Sequence, residues 1–208
     1  MSYHTKAATM DQMEGILDLQ VEAFLNREPM TMALGMDEQS YRESMRWMFE
    51  KAVERGSLFV AVEDGTDLVV GLGAYYPSNI LEIEAPPESI VKGHEEAYAA
   101  SGALFDRIDK KLADIPAFRE GKCIHAYYLA THKDFARCGI ASAIDECAMA
   151  YAKEQGYTHV YGEATNIKSL NIFLKKGGVV IDRVEYAKCG IPLFENTEGE
   201  LVLFTCEI

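Results

Sequence analysis

The chain predicts an α/β fold in which a mixed sheet of about seven strands carries helices on both faces. Three features point there: two β-rich runs flanking Asp64-Gly65, a strand–helix–strand–helix succession from 123 to 176, and a closing pair of strands at 179–186 and 201–207. A hairpin beside alternating strands and helices needs antiparallel and parallel pairing in one sheet, with helices covering it.

The elements follow in order. Residues 3–8 read as a short first strand. Thr9 and Gln12 stand at capping-box spacing and open a helix whose apolar face, Met13, Ile16, Leu17, Val21 and Phe24, runs to Leu25. Ser40 and Glu43 repeat the box before a second helix, with Tyr41, Met45, Met48, Phe49, Ala52 and Val53 on one side and Gly56 as its stop. Residues 58–62 and 68–76 are strands joined at Asp64-Gly65, a dipeptide that suits a tight hairpin turn. The stretch 79–87, with Pro86-Pro87, reads as loop, and 89–112 as a helix ended by Pro116; together 79–118 form a helical insertion in a single domain spanning 1–208. A strand over 123–131 comes next. Ile140, Ala143, Ile144, Cys147, Ala148 and Tyr151 then face inward from a helix that ends at Gly156. A strand at 159–164 and a helix at 169–176 precede the closing pair.

Composition narrows the function. A chain of 208 residues, 49% of them apolar, fills one sizeable core. The net charge of −13 argues against nucleic acid, whose binders present basic surface, and would draw a cationic small molecule towards a cleft. Solubility alone is the plainer account of that acidity. No run of 18 apolar residues supports a membrane span, and the first residues lack a signal-peptide profile, so a cytoplasmic protein is expected. The five cysteines are odd in number with no repeated spacing, which suits reduced thiols. Cys123, His125, His132 and Cys138 lack the close pairs of a structural zinc site, and no metal is expected.

The chemistry concentrates at 129–141, where a strand gives way to a helix. Gly139 and Ala141 are small, so backbone can approach a ligand there, and the free N–H groups of a first helical turn attract an anion. A close-packed helix start without a ligand is the competing reading.

Leu129, Ala130, His132, Phe135, Gly139, Ile140 and Ala141 fall in register with the acetyl-CoA signature L-A-V-H-P-x-[YF] followed by [RQ]-x-x-G-x-[GA]. The chain therefore resembles the GNAT superfamily of N-acetyltransferases. Ala136 stands where the family has Arg or Gln, with Arg137 one place along. Residues 58–76, Gly156-Tyr157, and 166–177, which resembles N-x-x-A-x-x-x-Y-x-K-x-G, agree at the expected distances. The resemblance implies a GNAT-type, mostly antiparallel sheet and acetyl-CoA as cosubstrate. It carries cofactor contacts onto Tyr128, Leu129, Ala130, Thr131, Arg137, Cys138, Gly139, Ile140, Ala141, Ser142, Asn166, Phe173 and Lys175. Phe173 occupies the place of a Tyr thought to protonate the departing thiolate; a thiol of reference pKa about 8.5 leaves tolerably without one.

The segment 24–30, containing Glu28-Pro29, and the helical insertion are most similar to the arylalkylamine-type branch, which implies Glu28 as a base. An alkylamine is neutral in only about one molecule in 2,000 at pH 7, so a base near the acceptor is valuable. A solvated carboxylate at a helix end is the alternative for Glu28. His125 is a second candidate base, its alternative a hydrogen-bonded core histidine. Ser169, with Thr165, can relay protons or merely cap a helix, a role for which Asn166 competes. Glu163 either faces the cleft or pairs with a lysine. His132 reads as structural, and Cys138 lies in the expected phosphate loop, ill placed for a covalent step. The expected reaction is direct attack in a ternary complex, with a backbone N–H near Tyr128 or Leu129 stabilising the oxyanion. A small-molecule amine, an arylalkylamine or a polyamine, is the expected partner, to a monomer or homodimer. Tyr75, Tyr76, Tyr127 and Tyr128 favour an aryl group, although strand alternation lets only about half of them see a cleft. Phe173 and Ala136 keep a non-catalytic acyl-CoA binding or sensing module as the rival.

Overall fold

The computed structural model describes residues 2–77 and 86–208, so the predicted loop at 79–87 lies, through residue 85, outside the described residues. Its strands are β1 (Tyr3–Ala7), β2 (Leu58–Glu63), β3 (Val69–Pro77), β4 (Cys123–Thr131), β5 (His159–Ala164), β6 (Val179–Glu185) and β7 (Glu200–Glu207). They form one sheet in the order β1-β2-β3-β4-β5-β7-β6. Every neighbouring pair is antiparallel except β4 and β5. The sheet expected from the sequence is the sheet found.

The helices are α1 (Met13–Gln20), α2 (Pro29–Ala33), α3 (Glu38–Glu54), α4 (Glu88–Val91), α5 (Glu95–Asp109), α6 (Pro116–Arg119), α7 (Ile140–Glu154) and α8 (Ile167–Leu174). Among the described residues, no helix is long and apolar enough to cross a membrane. The Thr9–Gln12 box forms, with the Gln12 side chain accepting from the Thr9 N–H at 3.2 Å. Ser40 does not open its helix. Asp37 caps α3 instead, accepting from the Ser40 N–H at 3.0 Å: the backbone is extended at Asp37 and helical from Glu38, which makes Ser40 the third helical residue. The predicted helix at 89–112 is broken at Gly93, whose φ of +86° ends α4 before α5 begins. Pro116 opens α6 at its first position, where a missing N–H costs nothing, rather than ending a helix.

Helices cover both faces of the sheet. α1 and α3 bury Ile16, Leu17 and Phe49 against Val60, Leu72 and Tyr76. On the other face α7 and α8 bury Ile144, Ala148 and Phe173 against Val70, Tyr75 and Phe204. α7 lies directly on two glycines of β3. A Cβ on Gly71 would come within 2.7 Å of Ile144 Cδ1, and one on Gly73 within 2.6 Å of Ile144 Cγ2. Gly71→Ala is expected to lower stability by about 1–3 kcal/mol, the usual result of overpacking, measured by urea unfolding.

The site is made possible by the one parallel pair. β4 and β5 pair only at Cys123–His159, Ile124–Val160 and His125–Tyr161. Beyond His125, β4 continues to Thr131 with no β5 partner, so its backbone N–H and C=O groups on that side face a gap.

Candidate active site

A cavity of about 780 Å³ occupies this gap, within the range of small-molecule sites. Its wall includes His125–Leu129 of β4, Tyr161 and Glu163–Asn166 around the end of β5, Glu28 and Met30, the inner side of α5, and Ser169 and Phe173 of α8.

β4 is bulged there. Ala74 pairs with Tyr128 and Tyr75 with Ala126, leaving Tyr127 as an extra residue. A bulge interrupts strand alternation, and both Tyr127 and Tyr128 consequently line the cavity. Tyr75 and Tyr76 do not line it: their hydroxyls donate to Asp145 at 3.0 Å and to the Met48 carbonyl at 3.1 Å. Half of the four tyrosines reach the cleft, but they are sequence neighbours rather than alternate residues. Gly162 of β5 faces the bulge, where a Cβ would sit 2.7 Å from the Ala126 carbonyl oxygen. Phe24 meets the Tyr128 ring edge-on at 5.2 Å, and Phe105 of α5 stacks on Tyr127 at 6.5 Å.

The polar centre is a chain of three side chains. His125 Nε2 lies 2.6 Å from Glu163 Oε2, and its ring stacks on Tyr161 at 4.4 Å. Glu163 therefore faces the cleft and pairs with a histidine, not a lysine. Its side chain is only 3% exposed. The Asp109 carboxyl, at the end of α5, meets Glu163 from the other side. Asp109 Oδ1 and Glu163 Oε1 are both buried without a donor. Two ionised carboxylates cannot bond each other, so the contact closes only when a proton lies between them. Burial and then the Glu163 charge push the Asp109 carboxyl up to about 7.

A carboxyl with a raised folded pKa binds its proton more tightly folded than unfolded. Its contribution to stability is present at acid pH and is lost as pH rises from about 4 through about 7. Asp109→Asn supplies a neutral donor to Glu163. It is expected to raise the melting temperature by about 2–4 °C at pH 8, with a smaller gain at pH 5, by thermal unfolding at both.

Glu28 lines the cavity as the N-cap of α2, 6% exposed. Its Oε1 accepts from the Met30 N–H at 3.0 Å, and its Oε2 from the Thr31 N–H and hydroxyl, both at 2.7 Å. Helix capping and a place in the cavity wall thus coincide in one carboxylate.

The other end of β4 leads into an anion cradle. Arg137 and Gly139 have φ of +66° and +82° immediately before α7. This turn points successive N–H groups outward at the positive end of the α7 dipole. Among the described residues no acceptor takes the N–H groups of Arg137, Gly139, Ile140, Ala141 or Ser142. A diphosphate fits such a cradle. Arg137 and Cys138 are exposed, while Ile140 is buried and anchors the helix start. Ala130 and Thr131 lie on β4 between cradle and cavity.

At the third edge Asn166 caps α8, accepting from the Lys168 and Ser169 N–H groups at 2.9 and 3.1 Å. The Ser169 hydroxyl lines the cavity and donates to the Asn166 carbonyl at 3.0 Å. Phe173 stacks on Phe204 at 4.3 Å, an apolar wall where the family pattern has a hydroxyl. Lys175 stands apart, exposed at the C-cap of α8. Asp109 is the cavity carboxyl that sequence reasoning missed: its partner is on another element, and no local spacing joins them.

A splayed parallel pair, a bulged β4 and an anion cradle at the end of the same strand suit an elongated small-molecule ligand that carries a diphosphate. The model of the acetyltransferase (GNAT) family matches residues 16–177, and the chain belongs to that family. It is an N-acetyltransferase, and acetyl-CoA is the donor this family uses. No curated protein sequence matches it. Among solved structures it is similar to a mosquito arylalkylamine N-acetyltransferase-like protein 5b, with TM-score 0.76, 14% identity and 100% of both chains covered. A Drosophila melanogaster polyamine N-acetyltransferase gives the same score, identity and coverage. The NatC complex bound to Gag peptide and CoA is similar over 100% of this chain and 99% of that one, with TM-score 0.59 and 15% identity. At such identities the likeness is one of fold.

Proposed function

We propose that this protein acetylates a primary amine of a small molecule, an arylalkylamine or a polyamine, by direct attack within a ternary complex. The observation that carries this reading is the His125–Glu163 pair set in an acidic, aromatic-lined cavity where β4 and β5 part. Acetyl-CoA supplies an activated acyl carbonyl. The chain's own residues do the rest.

The cradle at 137–142 holds the diphosphate, and the unpaired side of β4 runs from it towards the cavity. His125 takes the proton of the incoming ammonium; Glu163 holds the ring and balances the charge it gains. Glu28, with much of its lone-pair capacity taken by capping, acts as a fixed negative charge that draws the cation in. A backbone N–H near Tyr128 or Leu129 donates to the acyl oxygen. The Ser169 hydroxyl stands at the cavity edge as a relay for the departing thiolate's proton, a position Phe173 cannot fill.

Release of CoA thiol is measured with tyramine, serotonin, putrescine, spermidine and a lysine peptide. Turnover of a small amine is expected, and Glu28→Gln is expected to raise the amine KM more than it lowers kcat. Acetyl-CoA binding with no turnover of any amine would overturn this reading and favour an acyl-CoA sensor.

A further inference from the structure

The cavity holds more negative charge than one reacting amine needs. Glu28, Asp106, Asp109 and Glu163 all line it, while Lys110 is the one Lys or Arg among the described lining residues. Capping donors occupy Glu28, and His125 occupies one oxygen of Glu163. Asp106 is exposed to solvent. What remains buried without a donor is Glu163 Oε1, on a side chain 3% exposed, and Oδ1 of the neighbouring Asp109 carboxyl. The two groups come from β5 and from the insertion helix α5, so tertiary packing alone brings them together.

Buried carboxylate oxygens are stable only with a proton or a cation between them. A protonated nitrogen carries several N–H donors and a full charge, enough to serve both oxygens at once. Beside the pair, Tyr127 and Tyr161 offer ring surface for an alkyl stem and a cationic head. A phenol at the far end of an acceptor would bring one proton and no charge.

We infer that Asp109 and Glu163 bind a second protonated nitrogen, so that the acceptor is a diamine or polyamine charged at the end that does not react. The inference rests on the acetyl-transfer reading above and narrows it: His125 serves the reacting nitrogen, and the carboxylate pair holds the other. An alkyl monoamine of equal length fills the same space but leaves both oxygens unserved.

The test compares kcat/KM for putrescine with butylamine and for cadaverine with pentylamine, alongside tyramine and phenethylamine. The unaltered protein is expected to favour each diamine over its matched monoamine by at least about tenfold. In Asp109→Asn that ratio is expected to collapse towards one, with thermal unfolding reporting whether the variant folds. A ratio near one in the unaltered protein overturns the inference without any variant. So does a ratio that survives Asp109→Asn, or a preference for tyramine over both diamines. Each of those outcomes leaves acetyl transfer standing, whereas loss of turnover with every amine removes both.

Discussion

In His125→Gln, turnover of the accepted amine is expected to fall by about 10²- to 10⁴-fold at pH 7, the usual effect of losing a general base. Glutamine retains a donor for Glu163 and much of the ring's volume, so the loss reports the base rather than a collapsed wall. Acetyl-CoA binding, measured separately by calorimetry, is expected to stay near its original value, because the cradle at 137–142 is formed by other residues. The amine's own protonation supplies a sharper readout. With a reference pKa near 10.4, its neutral fraction rises about tenfold for each pH unit between 7 and 9. The variant's rate is expected to climb with that slope, since solution has taken over the deprotonation. A merely structural histidine predicts a defect of the same size at every pH. If Glu28→Gln shows the larger kcat loss and the pH-dependent recovery, the base is Glu28 and His125 is part of the wall.

Much of the sheet was legible because each strand is a local event. The β-branched and aromatic runs at β4 and β5, and the Asp64-Gly65 turn, announce themselves within a few residues. The cradle was legible for the same reason, since Gly139 and the helix start behind it are contiguous. The acidic centre was not. Asp109 and Glu163 belong to different elements, and each looks like an ordinary surface carboxylate until the chain folds. The bulge is equally nonlocal: nothing in Tyr127-Tyr128 reveals that β3 skips a residue there, yet that skip puts both rings in the cavity. Helix caps lay in between. Asn166 was one of three competitors for its cap, while a capping-box pattern at Ser40, which the backbone does not use, hid Asp37.

Lys176→Met is expected to destabilise the protein by about 3–5 kcal/mol, the usual result of leaving a buried charge without its partner. Asp145 of α7 is fully buried; Lys176 Nζ lies 2.5 Å from one of its oxygens and the Tyr75 hydroxyl donates to the other at 3.0 Å. Removing the ammonium leaves one neutral donor for a buried carboxylate. A domain of this kind has only about 5–15 kcal/mol of stability, so the urea midpoint should drop by a large fraction. Adding Asp145→Asn to Lys176→Met is expected to recover much of the loss, because a neutral amide still accepts from Tyr75 without carrying charge. A single-variant loss below about 1 kcal/mol would instead place Lys176 among solvated surface ion pairs. The pair also joins the two elements behind the site: α7 begins at the anion cradle, and Lys176 follows α8, whose Asn166 cap and Phe173 border the cavity. Weakening it should therefore lower acetyl-CoA affinity at temperatures where the protein is still folded, which Gly71→Ala would also do by pushing on the same helix from β3.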